Sequence, residues 1–263
     1  SPNPGRFRTF ESFCLQRGDL VRIGAVTDMA MTYLAVEGGF DLPLAMGSFS
    51  TYTRGVFGGF KGRALKTDDE LSLVLPAAPD RDESRFAERA LPGELPIRII
   101  PGPQDDYFSP ATLQALVSNE YTVSTNVDRM GMRLQGPPLE HARGFNITSD
   151  GTAPGSIQVP GDGLPIVLLA DRQTTGGYPK IGCVISADLP TLARLRPGNK
   201  IRFALSTLEQ AAEARRDRDN WFAIFRTQIK RTDASGIIDA TALQTENLVS
   251  GVVGPDDPTD SAR

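Results

Sequence analysis

The chain has 263 residues, of which 40% are hydrophobic and 23% are charged, so its composition is that of a globular protein. Its formal net charge is −4, and the lysine and arginine residues are scattered along the sequence. We therefore expect no nucleic-acid partner, because nucleic-acid binding requires clustered basic residues. The longest unbroken apolar runs, such as residues 166–170, are far shorter than the roughly 20 residues that span a bilayer. The sequence thus predicts a soluble, cytoplasmic protein with no membrane partner.

The reactive residues exclude several kinds of site. His141 is the only histidine, and Cys14 and Cys183 are the only cysteines. Neither a zinc site built on two histidines nor a thiolate metal cluster can form within this chain, and we predict no metal site in it. The glycine-rich nucleotide motifs and the nucleophile elbow are also missing from the sequence, so a nucleotide would have to bind in a less familiar way.

Short runs of β-forming residues bounded by turn residues dominate the sequence, which predicts a mainly β protein with a few helices. Examples of these runs are residues 20–23, 32–36, 97–100 and 181–185.

Three segments carry signals for the start of a helix. Ser109 precedes Pro110, which is a cap followed by proline at the first helical position, and this pair predicts a helix through residue 117. Asp188 precedes a shorter predicted helix that ends at residue 195. Residues 206–209 have the spacing of a capping box and predict a helix over 210–230, whose charged residues face solvent.

Two parts of the chain resemble one another. Residues 16–23 and 195–203 each combine a polar turn with an alternating strand, and residues 66–73 are a weaker copy. We interpret these copies as two related β units, although turn and strand repeats also arise by chance in β proteins. The predicted organisation is a first β unit over 1–75, a proline-rich linker over 76–96, a second β unit with helices over 97–253 and a disordered tail over 254–263.

A polar loop follows the apolar run at 166–170. It contains hydrogen-bond donors and two glycines that let a ligand approach the backbone closely, which fits an anion or an amide ligand. Its candidate residues are Arg172, Gln173, Thr174, Thr175, Gly176, Gly177, Tyr178 and Lys180. The alternative is a simple hairpin turn at the glycines, with Arg172 paired to a surface carboxylate.

A second candidate segment contains Asn126, Asp128 and Arg129, with Arg133 four residues after Arg129. Because a guanidinium group matches the planar fork of an oxyanion, the two arginines could frame one anion. The alternative is a loop held together by Asp128, bound either to Arg133 or to the backbone.

Other residues carry weaker signals. Phe57 and Phe60 lie among glycines and form a candidate partner-binding patch, or else anchor their loop to the core. His141 could act as a general base, but a structural or exposed histidine is the simpler interpretation. Gln158 alternates with its apolar neighbours, so it lines a cavity or faces water.

Six long motifs occur together between residues 10 and 203, at 33–41, 58–63, 128–131 with 134–137, 155–160, 168–180 and 187–190. In this combination they resemble the KipA and allophanate hydrolase subunit 2 family, whose members are also named as the C component of 5-oxoprolinase or as a biotin-dependent carboxyltransferase domain. Members of the family usually begin with a further stretch that the present sequence does not show. The resemblance implies a cyclophilin-like β-barrel architecture.

The resemblance also implies three functional settings. The first is the C component of an ATP-dependent 5-oxoprolinase, in which ATP is bound by partner subunits and the lactam is opened to glutamate. The second is the carboxyltransferase part of a urea-carboxylase or allophanate-type enzyme, which receives carboxybiotin on a separate carrier. The third is a KipA-like regulator that binds a KipI-like kinase inhibitor. The implied partners are a KipI-like subunit, a LamB/YcsF-like subunit and a small amide or lactam substrate.

In the enzymatic settings, negative charge develops on an amide oxygen, and preorganised donors stabilise such charge. We therefore assign catalytic roles to Arg172 and Lys180 as an anion clamp and to Gln173 and Thr174 as donors. Predicted substrate-binding residues complete the site: Asn126, Asp128, Arg129, Gln158, Thr175, Gly176, Gly177 and Tyr178.

Overall fold

The structure is a computed structural model that describes residues 7, 9–27, 29–86 and 96–232. The chain divides into two compact units. One unit consists of residues 1–16, 79–88 and 228–263, and the other consists of residues 17–78 and 89–227. No helix in the described ranges has the length and apolar character needed to cross a membrane.

The described residues contain eleven strands and three α-helices. The strands are β1 (Glu83–Phe86), β2 (Ile97–Pro101), β3 (Glu120–Val127), β4 (Gly131–Gln135), β5 (Asp150–Gly151), β6 (Ser156–Gln158), β7 (Ile166–Leu168), β8 (Thr175–Gly176), β9 (Lys180–Val184), β10 (Lys200–Leu205) and β11 (Ile229–Thr232). The helices are α1 (Pro110–Ser118), α2 (Leu189–Ala193) and α3 (Leu208–Thr227), and a short 3-10 helix covers Asp105–Tyr107.

In the smaller unit, β1 and β11 form an antiparallel pair. Glu11 forms a bridge to Arg85 of β1. The ring of Phe10 contacts that of Phe86 edge to face, with 5.9 Å between centroids.

Seven of the described strands in the larger unit form a closed barrel, in the order β10, β2, β9, β6, β7, β4 and β3. Neighbouring strands are antiparallel except for β2 and β10, which run parallel. The mainly β fold with a barrel is thereby confirmed. Outside the barrel, β5 and β8 form a separate two-residue ladder in which Asp150 is paired with Gly176 and Gly151 with Thr175.

Alternating residues of the barrel strands fill its interior, as the two-residue period of a strand requires. Several of these side chains are entirely out of solvent, and burial of each such apolar side chain stabilises the fold by roughly 1.5 to 3 kcal/mol. The fully buried members include Ile97, Ile99, Tyr121, Leu134, Ile157, Ile181 and Ile201. Helix α1 packs beside β10 and adds Leu116 to this core.

The helix start signals are confirmed, but two predicted helix ends are wrong. Helix α2 ends at Ala193 and α3 at Thr227, and residues 229–230 belong to β11. Ser109 caps α1, because its hydroxyl accepts a hydrogen bond from the N–H of Thr112 at 3.1 Å. The capping box of α3 lies one residue later than predicted. Thr207 Oγ1 accepts from the N–H of Gln210, while Gln210 Oε1 accepts from the N–H of Thr207, at 3.2 and 2.9 Å.

The strands predicted at residues 20–23 and 32–36 are wrong. Strands need a paired ladder, and the described part of residues 17–78 forms only isolated bridges, such as Phe40 with Leu73. The apolar side chains of these runs stay exposed, with Leu20 at 77% and Tyr33 at 83%. A relation between two β units therefore stays a prediction.

The predicted linker and tail are only partly described. Strand β1 lies inside the range assigned to the linker, and residues 87–95 of that range lie outside the described residues. The predicted disordered tail, 254–263, also lies outside them.

Tyr121 provides a test of the core. Its phenol oxygen is buried and has no hydrogen-bond partner among the described residues, and burial raises its pKa to about 12. We expect Tyr121→Phe to leave the free energy of unfolding unchanged or to raise it by about 1 kcal/mol, because the change removes an unsatisfied buried group. Urea denaturation measures this effect.

Because the pKa of Tyr121 is raised, the difference in stability between the wild type and Tyr121→Phe should depend on pH. The unfolded phenol ionises near 10 and the folded one near 12, so its contribution to stability is present below pH 10 and is lost as the pH rises through about 12. Tyr121→Phe should lack this loss. A variant that is less stable than the wild type at neutral pH would contradict the assignment of an unsatisfied hydroxyl.

Candidate functional site

The predicted polar loop leaves the barrel at the end of β7 and returns at the start of β9. Its first part is fixed by hydrogen bonds to the neighbouring turn, since the N–H of Asp171 donates to the carbonyl of Arg129 at 2.7 Å. Its middle forms β8, which pairs with β5. Its last residue, Lys180, is already part of β9.

Lys180 is a buried cation. Its side chain is 2% exposed, and its ammonium group donates to Asp150 Oδ2 at 3.0 Å. The same oxygen accepts from Gln104 Nε2 at 2.9 Å, and Asp150 Oδ1 accepts from the N–H of Gly151 at 2.7 Å. The Lys180 ammonium, with these two hydrogen bonds, holds the pKa of the Asp150 carboxyl below its usual range. Asp150 is therefore an anion at neutral pH.

Gln158 lies next to Lys180 on the adjacent strand β6, in register with it. Its side chain is almost fully buried, which excludes the alternative that it faces water. Gln158 Oε1 accepts a hydrogen bond from Gln173 Nε2 at 3.2 Å, whereas Gln158 Nε2 has no partner among the described residues. A buried amide N–H without a partner is costly, so it is a ready donor for a ligand oxygen.

Gly176 covers the Gln158 amide. A Cβ atom at position 176 would clash with Gln158 Nε2. One at position 177 would make only ordinary contacts, with the carbonyl oxygen of Ile147 at 3.7 Å and with Ser149 Oγ at 3.9 Å. The first glycine of the pair is therefore required for packing, and the second tolerates a side chain. The structure thus brings four predicted residues together: Gln158, Gln173, Gly176 and Lys180.

Arg172 and Thr174 tie the loop to the chain segment after β5. Arg172 Nε donates to the carbonyl of Thr152 at 3.3 Å, and the N–H of Thr152 donates to the carbonyl of Thr174 at 3.0 Å. Thr152 also donates from its hydroxyl to the carbonyl of Gln173. Arg172 forms no ion pair with any described residue, so the alternative of a surface salt bridge is excluded within that part of the chain. The side chains of Thr174, Thr175 and Tyr178 are exposed.

The second candidate segment forms the turn between β3 and β4. Asp128 Oδ1 accepts from the N–H groups of Met130 and Gly131 at 2.8 and 3.2 Å, and its other oxygen pairs with Arg54. Burial raises the pKa of Asp128, but these hydrogen bonds outweigh it and leave the pKa lowered. The alternative of a loop held together through the backbone is therefore correct.

The two arginines of this segment do not frame one anion. Arg129 forms a bidentate pair with Asp171, at 2.7 and 2.9 Å, whereas Arg133 pairs with Asp162 at 3.1 Å. They have separate partners because Arg129 lies in the turn and Arg133 lies inside β4. Asn126 is exposed beside this turn.

Strand register separates this turn from the Lys180 ammonium. Gln158 and Lys180 are paired at the Ile166 end of β7, while the turn is paired with Leu168 at the other end. The loop after β7 links both ends. The structure thus places the turn against the start of the loop and not beside Lys180, and a role for Asn126, Asp128 and Arg129 in substrate binding stays a prediction.

His141 has a structural environment. Its Nε2 lies 2.9 Å from the carbonyl oxygen of Val159, and its ring contacts Phe108 and Phe145, with centroids 5.2 and 6.2 Å away. This supports the structural interpretation of the histidine.

Phe57 and Phe60 of the predicted partner patch both contact neighbouring side chains of the same chain. Phe57 is 44% exposed and meets Tyr52 edge to face. Phe60 is half-buried, with the charged groups of Lys61 and Arg63 at 4.9 and 5.3 Å from its ring centre.

A surface cleft of about 680 Å³ lies elsewhere in this unit, beside α3. Its charged groups include Arg98 and Asp188, which already form a bidentate pair between β2 and the start of α2. Because the arginine is engaged and the other charges are carboxylates, this cleft suits an anionic substrate less well than the Lys180 cluster does.

Three residues of the cluster escaped the sequence analysis: Gln104, Asp150 and Thr152. Asp150 and Gly151, 30 residues before Lys180, are residue types common in turns, so they could have marked a loop but not the partner of Asp150. Nothing in the local sequence marks Gln104, because its role depends on the register between β2 and β9.

Comparison with known protein families identifies the family to which this chain belongs. Residues 3–205 match the sequence profile described as "Carboxyltransferase domain, subdomain A and B". The chain belongs to this carboxyltransferase-domain family. The family resemblance found in the sequence is thereby confirmed.

Relatives of this carboxyltransferase-domain chain carry two kinds of name. It is 41% identical over 191 residues to the C component of 5-oxoprolinase from Escherichia coli, a match that covers 73% of this chain and 61% of that protein. It is 40% identical over 217 residues to the C component of 5-oxoprolinase from Haemophilus influenzae, covering 80% and 68%. Over 251 residues it is 30% identical to the urea amidolyase of Saccharomyces cerevisiae, covering 85% of this chain and 13% of that protein.

A solved structure agrees with the fold. The Kluyveromyces lactis urea amidolyase superposes with a TM-score of 0.64 at 28% identity, covering 72% of this chain and 13% of that one. The chain spans less than two thirds of the E. coli relative and a small part of the amidolyases.

Substitutions at Gly176 and Gly177 test whether Gly176 packs over the Gln158 amide. We expect Gly176→Ala to lower the free energy of unfolding by about 1 to 3 kcal/mol, because a methyl group must displace a buried amide. Gly177→Ala is the matched control and should change it by less than about 0.5 kcal/mol. Denaturant unfolding of both variants decides the question, and equal effects would contradict the described packing.

Proposed function

We propose that this chain is the C component of an ATP-dependent 5-oxoprolinase-type complex, which hydrolyses the lactam of 5-oxoproline to glutamate. The observation that carries the proposal is the buried Lys180 ammonium in register with the unpartnered Gln158 amide. The names of two bacterial relatives support the choice of substrate.

The chemistry of a lactam explains why such donors matter. An amide carbonyl is a poor electrophile, and attack on it builds negative charge on oxygen. Donors that are already oriented in a site with little water stabilise that charge by several kcal/mol. In this proposal Lys180 and Arg172 bind the anionic groups of the substrate or of its activated form, and Gln158 donates to the amide oxygen.

Neighbouring residues orient these groups. Gln173 holds the Gln158 side chain by its oxygen and so leaves the Gln158 N–H₂ directed elsewhere. The small Gly176 lets the loop lie directly over this amide, and Thr152 fixes the loop on both sides of Gln173. Thr174 and Gly177 are proposed as further donors on the loop.

In this proposal ATP is bound by two partner subunits, one KipI-like and the other LamB/YcsF-like. The sequence of this chain carries none of the familiar glycine-rich nucleotide motifs, which supports that assignment. The partner surface on this chain is proposed to include Phe57 and Phe60.

The urea amidolyase relatives favour a second candidate. In that function, the chain is the carboxyltransferase part of a urea-carboxylase-type enzyme and accepts carboxybiotin from a separate carrier. The same donors would then orient a urea and a carboxylate. The two candidates differ in substrate and cofactor, so assays of the assembled complex separate them.

Lys180→Met tests the proposed site. We expect at least a tenfold loss of ATP-dependent 5-oxoproline consumption by the chain assembled with its partner subunits, because the cation that binds the anionic group of the substrate is lost. Arg172→Ala should act in the same direction. The control is Lys200→Met, since Lys200 is exposed and pairs with Glu120 on the surface. Full activity in a folded Lys180→Met complex would refute the role, and biotin-dependent urea carboxylation without 5-oxoproline loss would favour the second candidate.

Phe57→Ala and Phe60→Ala test the partner surface. Loss of exposed aromatic anchors should weaken capture of this chain by the immobilised KipI-like partner at least tenfold. Phe222→Ala is a matched control, because Phe222 on α3 is 43% exposed and, like Phe57, meets one aromatic neighbour edge to face. Capture that is unchanged by both patch variants would exclude this surface.

A further inference from the structure

The carboxylate of Asp150 occupies a complete anion-binding arrangement. One oxygen accepts hydrogen bonds from the Lys180 ammonium at 3.0 Å and from the Gln104 amide at 2.9 Å. The other oxygen accepts a hydrogen bond from the N–H of Gly151 at 2.7 Å. An ammonium, an amide N–H and a backbone N–H are the donors that proteins use to bind carboxylate ligands. Here a side chain of the protein itself fills the place of the ligand.

The two partners of this ion pair differ sharply in burial. The Lys180 side chain is 2% exposed, whereas the Asp150 side chain is 50% exposed. Without Asp150, the buried Lys180 ammonium would have no counter-ion, which is costly. The Asp150 carboxylate, in contrast, is already in contact with solvent. If Asp150 leaves, another anion has to take its place on the ammonium.

The ladder that carries Asp150 is short and exposed, while Ile147 and Thr152 on either side of it are hydrogen-bonded to the loop after β7. Strand β5 has two residues, both exposed, and its ladder partner β8 also has two. Seven of the eight residues 142–149 before it are exposed. Short, solvent-exposed ladders open at low free energy, so Asp150 can move while the barrel stays intact.

The donors that would remain belong to other elements. Lys180 lies on the barrel strand β9, and Gln104 lies just after β2, where its Oε1 also accepts from the N–H of Lys180 at 3.3 Å. Only the N–H of Gly151 moves with Asp150.

We propose that Asp150 is an internal competitor that occupies the carboxylate subsite on Lys180 and Gln104 until a substrate carboxylate replaces it. The proposal rests on the proposed function for the identity of the ligand, 5-oxoproline, which combines a carboxylate with a lactam. The exchange of one carboxylate for another keeps the buried ammonium paired throughout. A neutral amide cannot make this exchange, so Asp150 selects for acidic substrates.

The test compares ligand binding to the full chain and to Asp150→Asn by isothermal titration calorimetry. The probes are 5-oxoproline, sodium acetate and the neutral lactam 2-pyrrolidinone. We expect Asp150→Asn to bind the two carboxylates at least tenfold more tightly than the wild type and to leave 2-pyrrolidinone binding unchanged. The matched control is Asp106→Asn, because Asp106 is 51% exposed and also pairs with one cation, Arg143.

Stability gives a second measurement that remains valid if affinity is low. Without added anions, Asp150→Asn should unfold at a lower temperature than the wild type, and acetate should restore it while leaving the wild type unchanged. In the double variant Asp150→Asn with Lys180→Met, both the tighter binding and the rescue should vanish. Their persistence in the double variant would overturn the role of the ammonium.

The outcomes separate this inference from the proposed function. Equal binding of 5-oxoproline by the wild type and Asp150→Asn would overturn the internal competitor and leave the 5-oxoprolinase proposal in place. Tighter acetate binding by Asp150→Asn, with no binding of 5-oxoproline by either protein, would support the competitor and count against 5-oxoproline as the substrate.

Discussion

The burial of the Lys180 ammonium determines which groups must surround it. An ammonium in a protein interior needs an anion and further hydrogen bonds, because desolvation of the charge costs several kcal/mol. The fold supplies the anion from Asp150 on a short outer ladder, and the loop after β7 covers the neighbouring amide of Gln158. The polar cluster is thus assembled from four separate stretches of sequence that only the closed barrel brings together.

Local sequence signals predicted the parts of this arrangement that depend on local physics. The cap of α1 followed from Ser109 and Pro110, because a hydroxyl and a missing N–H satisfy a helix start within a few residues. Strand β9 and the loop before it followed from an apolar run interrupted by donors and two glycines. The sequence also assigned Lys180, Gln158 and Gln173 to one candidate site, and the structure brings these three residues together.

Long-range pairing could not be predicted in the same way. Asp150 lies 30 residues from Lys180, and Gln104 lies 76, so their contacts depend on strand register. Arg129 looked free for a ligand in the sequence, yet it is paired with Asp171 across the turn. The apolar runs at 20–23 and 32–36 had strand composition but no ladder partner among the described residues, and composition alone does not form a sheet.

The parallel pairing of β2 with β10 affects how the barrel can form during synthesis. Ile97 and Phe203 lie about a hundred residues apart in sequence, yet they are direct neighbours in the barrel. Since the ribosome releases the chain from its amino end, β2 emerges long before the strand that completes its edge. Pairing at such a distance is slow, and an open sheet edge attracts other chains in the meantime. During synthesis, the edge of β2 that pairs with β10 therefore stays open until β10 has been translated.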